Sequence, residues 1–334
     1  MVTISDVARE AKVSVATVSR VVNNSATVLP ETARRVRETI EQLHYEPNAM
    51  ARNFRTRASR VALILAPNIT NPYYANILTG ISTSARKHGY SIMICTVGGE
   101  REQEMEYLDI LAKRHADGAI LLAMALNNGD LERYAEKYPI VQCSEYVPGT
   151  KVAHVAVDNY KAAYQMTEHL VCIGHRRIAM ISSVNDYPST QRRMTGYRDA
   201  LAAAGIPFQE DYIRFGSFDY NFSSGYSGAQ SMLSLRTPPT AIFCISDMLA
   251  LGAINGAQDM GLNVPGNVSI VGFDDVEHAT MIRPHITTMA QPCFQLGECA
   301  MELLYEQLRG DEHPRKEIIL ETELKLRSSS GPVA

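Results

Sequence analysis

None of the six cysteines (Cys95, Cys143, Cys172, Cys244, Cys293, Cys299) pairs with another as CxxC, and most sit in apolar runs such as 91–95 and 241–244. They read as buried, reduced thiols, which excludes a zinc site of the paired-cysteine type and fits the cytosol. No apolar run approaches the roughly 18 residues that a membrane span needs. Residues 1–6 lack the basic and apolar regions of a secretory signal, so a cytoplasmic location is expected. Enzyme signatures are missing too. There is no GxSxG elbow, no GxxxxGK(S/T) loop and no HExxH pair, and the 261–272 stretch does not make a GxGxxG turn. His175, His278 and His285 are not spaced as a metal set. No enzyme activity, cofactor or metal is expected. Nor is there a tandem repeat, a low-complexity tract or a C-terminal heptad repeat.

What is present is a chain of 334 residues, 46% hydrophobic and 20% charged. That is an ordinary soluble composition with room for two or three domains, one of them small. The net charge of −4 is unevenly spread. Ten Lys/Arg and six Asp/Glu fall within residues 1–60, so that segment carries +4 and the remaining 274 residues carry −8. A basic head on an acidic body points to a polyanionic partner for the head alone.

Residues 3–46 read as three short helices. Ile4, Val7 and Ala8 fall at helical spacing in the first. Ser14 is a natural cap for a second over 15–22, and Pro30-Glu31 opens a third through Val36, Ile40 and Leu43. Tyr45-Glu46-Pro47 stops it, because a residue before proline leaves helical space. Asn48 then caps a short fourth helix over 49–55. From residue 60 short apolar runs (61–66, 92–97, 119–123, 140–143, 178–181, 241–245, 268–273) alternate with amphipathic stretches. This is the pattern of doubly wound parallel sheets, with too many units for one core, so two lobes are expected. Residues 318–326 alternate like one strand, and 329–334 read as a disordered tail.

The run Ile4-Ser-Asp-Val-Ala-Arg-Glu-Ala-Lys-Val-Ser-Val-Ala-Thr-Val-Ser-Arg-Val-Val-Asn23 closely resembles the helix-turn-helix head of the LacI/GalR repressor family. Val7, Ala8, Val13 and Val18 pack the helices together, and the second helix presents Val15, Ala16, Thr17 and Arg20 outward. A recognition helix reads the major groove near its N-terminus. Arg20 suits guanine, and Val15 and Ala16 suit thymine methyls. Thr3, Ser14, Thr17, Ser19 and Asn23 are the expected phosphate donors. Tyr45-x-Pro47-Asn48-Ala49-x-Ala51-Arg52 is similar to the family's hinge helix, which implies that Asn48, Ala51, Arg52 and Phe54 enter the minor groove at the operator centre. Phe54 stands where relatives usually place the wedging leucine. Leu29 stands where the family often has a capping serine.

From Val61 to about residue 328 the chain resembles the same family's two-lobed, periplasmic-binding-protein-like core. The landmarks are Asn71-Pro72-Tyr73-Tyr74, Asp117-Gly118, Val157-Asp158-Asn159, Gly174-His175-Arg176-Arg177, Arg193-x-x-Gly196-Tyr197, Ser246-Asp247, Gly272-Phe273-Asp274-Asp275 and Thr287-Thr288 followed by Gln291-Pro292. The resemblance implies a head over 1–47, a hinge over 48–58 and a core over 59–328. It divides the core into an N-lobe of about 59–159 plus 290–320 and a C-lobe of about 160–289 plus 321–328. It also implies a cleft for a small polar effector, with Arg193 and Asp274 as anchors and Tyr73, Tyr74, Leu122, Met124 and Phe218 around it. Asp247 and Gln291 are secondary candidates. Arg193 has a plainer reading as a surface residue paired with Asp199 or Glu168, Asp274 as a cap, and the aromatics as core. Ser144-Glu145 replaces the Asp-Arg of many sugar-responsive members, and cytidine-responsive members carry a similar Glu. Glu145 either contacts a ligand or stands as a solvated strand-end carboxylate. Sugar is the leading effector class and nucleoside the second.

The expected function is a repressor that binds a pseudo-palindromic operator as a dimer under effector control. A periplasmic transport component would share the core but not the head. A nonspecific nucleoid protein would need more charge than +4.

Overall fold

The computed structural model describes residues 2–22, 27–45, 58–122, 125–311 and 316–333. Two compact units divide the chain, Met1–Ser59 and Arg60–Ala334.

In the first unit, α1 (Ile4–Glu10), α2 (Val15–Val22) and α3 (Pro30–Gln42) close around Val7, Ala8, Ala11, Val18, Val21 and Val36. Thr3 and Asp6 form a reciprocal capping box at the start of α1, which holds the Asp6 carboxyl below its usual range, chiefly through the Thr3 hydrogen bonds. Lys12 ends α1 in the left-handed region (φ 52°) and turns the chain into α2. Leu29 gives α3 no side-chain cap, and Pro30 takes the first position, where its missing N–H costs nothing. The expected fourth helix over 49–55, and with it the hinge, lies outside the described residues.

The second unit is built on two six-stranded sheets. The first has the order β11-β5-β4-β3-β1-β2, from β1 (Val61–Ala66), β2 (Ser91–Thr96), β3 (Gly118–Leu121), β4 (Ile140–Cys143), β5 (Ala153–Val157) and β11 (Glu317–Leu320). The second has the order β12-β10-β9-β8-β6-β7, from β6 (Ile178–Ser183), β7 (Ile213–Gly216), β8 (Ala241–Cys244), β9 (Ser269–Asp274), β10 (Thr287–Ala290) and β12 (Glu323–Lys325). All neighbours are parallel except β10 and β12. The central strands β1, β3 and β8 are apolar and buried along most of their length, as a sheet covered on both faces requires.

Helices cover these faces: α4 (Pro72–Lys87), α5 (Arg101–Ala112), α6 (Asn128–Ala135) and α12 (Cys293–Leu308) on the first sheet, and α7 (Asn159–Cys172), α8 (Pro188–Ala203), α9 (Phe222–Leu233), α10 (Asp247–Asp259) and short α11 (His278–Met281) on the second. The chain passes between lobes after β5, after β10 and between β11 and β12. Where α4 crosses α12, a Cβ on Gly80 would stand 2.0 Å from the Phe294 carbonyl oxygen, and one on Gly297 2.0 Å from that of Ile77, so only glycine permits this contact.

Two expectations fail. Residues 318–326 are not one strand. They split into β11 and β12, which belong to different sheets. The described part of the tail, 329–333, is ordered. Ser329 is fully buried; its N–H donates to His285 O (2.9 Å), its carbonyl accepts from Ile270 N (2.8 Å) and its Oγ accepts from Thr287 N (2.9 Å). The Gly331 carbonyl accepts from Ser269 Oγ (3.2 Å) and lies 3.1 Å from His175 Nε2. Small hydroxylated residues here satisfy backbone at the starts of β9 and β10 in place of water. Ending the chain at Arg327 is expected to cost about 2–4 kcal/mol, several buried hydrogen bonds at about 1 kcal/mol each. Urea denaturation measures it, and an unchanged midpoint would show that the tail contributes nothing.

Candidate functional site

Two surfaces carry the chemistry. On the head, Ser14 caps α2. Its Oγ accepts from Thr17 N (3.1 Å) and lies 2.9 Å from Thr17 Oγ1. The helix then exposes Val15, Ala16 and Arg20 together, with Thr17 half-buried beside them and Val18 buried behind. Val15 is 43% exposed, an apolar side chain held at a helix start with no core to cover it. Two expected phosphate donors are otherwise engaged. The Thr3 hydroxyl sits 2.7 Å from Asp6 Oδ2 within the capping box, and Ser19 is buried in the bundle. Asn23, Asn48, Ala51, Arg52 and Phe54 lie outside the described residues.

On the core, the site is built where the two lobes face each other. A cavity of about 220 Å³ is lined from the N-lobe by Pro67, Asn68, Thr70, Tyr74, Val97 and Gly98, and from the C-lobe by Tyr187, Phe218, Asp219 and Tyr220. Phe218 meets Tyr187 edge-on at 5.3 Å. The same ring reaches across the lobe boundary to Gly99, where a Cβ would approach it to 2.7 Å.

Beside the cavity runs a buried polar chain. Tyr73 donates to Gln291 Oε1 (3.3 Å), so its oxygen accepts from Ser144 Oγ (2.6 Å). Gln291 Nε2 donates to Asp274 Oδ1 (2.7 Å). Arg193 is 6% exposed, donates to Asn159 Oδ1 (2.8 Å) and to the Ile245 carbonyl (2.6 Å), and lies 3.7 Å over the Phe273 ring. Its positive charge steadies the ionised forms of Asp274 and Glu145. Burial nevertheless dominates and raises the carboxyls of Glu145, Asp247 and Asp274, with Asp274 adding to the effect on Asp247. Ser144 (φ 73°), Asp274 (φ 114°) and Asp275 (φ 58°) all adopt left-handed backbone, and two of them belong to this chain.

The structure therefore links Tyr73, Gln291 and Asp274 by hydrogen bonds, sets the charge of Arg193 near Asp274, and puts Tyr74 and Phe218 on the cavity wall. It removes Arg193 from any surface pairing. Burial rules out the reading of Glu145 as a solvated strand-end carboxylate. It is buried and accepts from Ser189 N (3.1 Å) and Ser189 Oγ at the start of α8 in the opposite lobe. Asp247 is buried and accepts from Thr288 Oγ1 (2.6 Å) and Val276 N (2.9 Å). Leu122 lies in the N-lobe core, and Met124 is outside the described residues. Sequence reasoning missed Tyr187, Tyr220 and Ser189. A signal existed: 185–190 leaves β6 into a proline-started helix as 68–73 leaves β1, so one motif serves both lobes.

Comparison with known proteins agrees with this geometry. Residues 3–48 match the family described as bacterial regulatory proteins, lacI family, and residues 58–326 match periplasmic binding proteins and sugar binding domain of LacI family. The HTH-type transcriptional repressor CytR of Escherichia coli (strain K12) is 36% identical over 329 residues, which cover 98% of this chain and 96% of that protein. The chain belongs to the LacI family. Among solved LacI-family structures, the lac repressor dimer bound to operator and the anti-inducer ONPF superposes with a TM-score of 0.89 at 26% identity over 99% of each chain. The transcriptional regulator CelR–cellobiose complex does so with a TM-score of 0.74 at 30% identity, covering 98% of this chain and 100% of that one. This LacI-family member is a DNA-binding transcriptional regulator and not an enzyme. Among the described residues no helix is long and apolar enough to cross a membrane.

One carboxyl near the cavity gives a pH signature. Burial pushes Glu104 from 4.5 up to about 7, against the pull of two backbone N–H donors from Ala125 and Leu126. A carboxyl whose folded pKa is raised contributes stability that is full below about pH 4.5 and is lost as pH rises through about 7. Unfolding midpoints of Glu104→Gln are therefore expected to fall less between pH 5 and pH 8 than those of the wild type. Parallel curves for the two proteins would contradict this.

Proposed function

We propose that the protein is a cytoplasmic repressor that binds a pseudo-palindromic operator as a homodimer and is controlled by a small polar effector held between its lobes. The observation that carries this reading is the interlobe cavity, walled by Tyr74 from one lobe and Tyr187, Phe218 and Tyr220 from the other. A ligand filling it touches both lobes and so has different affinities for their open and closed arrangements. That difference is what allows it to shift an equilibrium, typically by about 1–3 kcal/mol of coupling. The volume is below the roughly 300–1,000 Å³ of drug-sized sites, which favours a ligand of one or two rings. Aromatic faces cover the flat apolar side of such a ring, while Asn68, Thr70 and Asp219 meet its polar edge.

A sugar or sugar derivative leads, supported by the CelR relative's complex with cellobiose. A nucleoside is the second reading, favoured by the four rings around the cavity. In the head, Val15, Ala16 and Arg20 read bases and Ser14 and Thr17 hold phosphate. Asn48, Ala51, Arg52 and Phe54 supply the minor-groove contacts. The lac repressor relative, a dimer on operator, supports the two-headed geometry, in which the half-site spacing mirrors the protein's two-fold axis. Release of DNA on effector binding is the expected sign.

Genomic footprinting at fixed salt, followed by titration of sugars and nucleosides against the best site, tests this. A palindromic site whose affinity shifts about tenfold with one ligand, the scale of 1.4 kcal/mol, sustains it. Binding without sequence preference would end it. At that site Arg20→Ala is expected to cost about 1–3 kcal/mol and to relax the preference at one base pair per half-site. Phe218→Ala is expected to leave operator binding intact and abolish the ligand response.

A further inference from the structure

The first turn of α5 carries three side chains that tie it to neighbouring N-lobe segments, one of which lines the cavity. Arg101 Nε donates to Asp130 Oδ2 (2.7 Å) and fixes α5 to α6. Gln103 Oε1 accepts from Gly98 N (3.0 Å), in the segment that lines the cavity and continues into Gly99 beneath the Phe218 ring. Glu104 accepts from Ala125 N (2.8 Å) and Leu126 N (3.2 Å), the backbone that follows β3. One helical turn therefore sets two of the N-lobe segments at the cleft end of the sheet.

None of the three side chains lines the cavity. Packing does not require them either, since Leu108 and Leu111 already bury α5 against the sheet. Glu104 is 1% exposed, and a buried carboxyl costs stability that an apolar side chain of the same size would not. Its two acceptor oxygens answer two backbone donors that would otherwise be unpaired. Its charge also helps hold the Tyr187 phenol in the other lobe above its ordinary range, after burial, Glu145 and Tyr220. Tyr187 is a wall of the cavity.

We propose that Gln103 and Glu104 are positioning residues for the effector. They set the height of the Gly98–Gly99 segment under Phe218 and the path of the backbone at Ala125–Leu126, and so decide which ring-shaped ligand the cleft accepts without touching it. This rests on the reading that the cavity holds the effector. A hydrogen bond from backbone to a side-chain acceptor fixes a loop within a few tenths of an ångström, and site selectivity depends on geometry at that scale.

The test uses the full chain and a panel of mono- and disaccharides, cellobiose included, and of nucleosides, cytidine included. Affinities are measured by calorimetry for wild type, Gln103→Ala, Glu104→Gln and Phe218→Ala, with ligand-free melting temperatures alongside. Gln103 is half-buried, so its variant keeps the test decisive if Glu104→Gln fails to fold. The expected result is that either variant changes the ratio of affinities for the two best ligands by about fivefold or more, the scale of one lost buried hydrogen bond. Glu104→Asp should leave that ratio nearer the wild-type value than Glu104→Gln does. A uniform weakening that follows the drop in melting temperature would reduce both residues to a structural role and overturn the proposal. So would wild-type ratios in both variants while Phe218→Ala loses binding, and in that case the cavity reading stands. Binding that survives Phe218→Ala, or a panel that does not bind wild type, brings down the cavity reading and this inference with it.

Discussion

A guanidinium without access to water is the constraint around which the core is arranged. Arg193 is always charged, and a lone buried charge costs several kcal/mol. Its N–H groups go to Asn159 and the Ile245 carbonyl, its face lies on Phe273, and the carboxyls of Asp274 and Glu145 stand in its field. Asp274, in a left-handed backbone, accepts from Gln291, and the hydrogen-bonded chain continues through Tyr73 to Ser144. Burial raises the carboxyls of Glu145 and Asp274 while the charge of Arg193 restrains both.

The head solves a different problem with the same economy. Six buried small or branched aliphatic residues, with a ring of half-buried ones such as Ile4, Ile40 and Leu43, close three short helices and leave one side of α2 exposed. An exposed valine at a helix start would be a defect in an isolated bundle. In the proposed reading, beside Arg20 and Ala16, it is the complement of a methyl-lined groove floor.

Much of this was legible because periodicity and capping are local. The three head helices, the alternation of apolar strands with amphipathic helices, and the Ser14 cap all follow from residues within one turn or one pleat of each other. The missed strands show where that reach ends. β5 is built on Ala153, His154 and Ala156, β7 contains Arg214 and ends in Gly216, and β10 opens with two threonines. None is an apolar run, and each becomes a strand through its neighbours. Glu145 illustrates the deeper limit. Its type signalled a carboxylate worth watching, but its partner is Ser189 in the other lobe, and no local pattern encodes that meeting. The Arg-Ser-Ser-Ser-Gly tail looked disordered for the same reason, since its hydroxyls are satisfied by strands forty and more residues away.

The threefold passage of the chain between lobes also sets an order of events at the ribosome. The N-lobe sheet waits for β11 and the C-lobe sheet for β12 and Ser329, so neither can close until the last twenty or so residues have emerged. The head is contiguous, helical and local in its contacts, which is the fast-folding kind. During synthesis the DNA-reading part of the molecule is finished well before the part that senses anything, and each newly made chain passes through an interval in which it carries an address without a control.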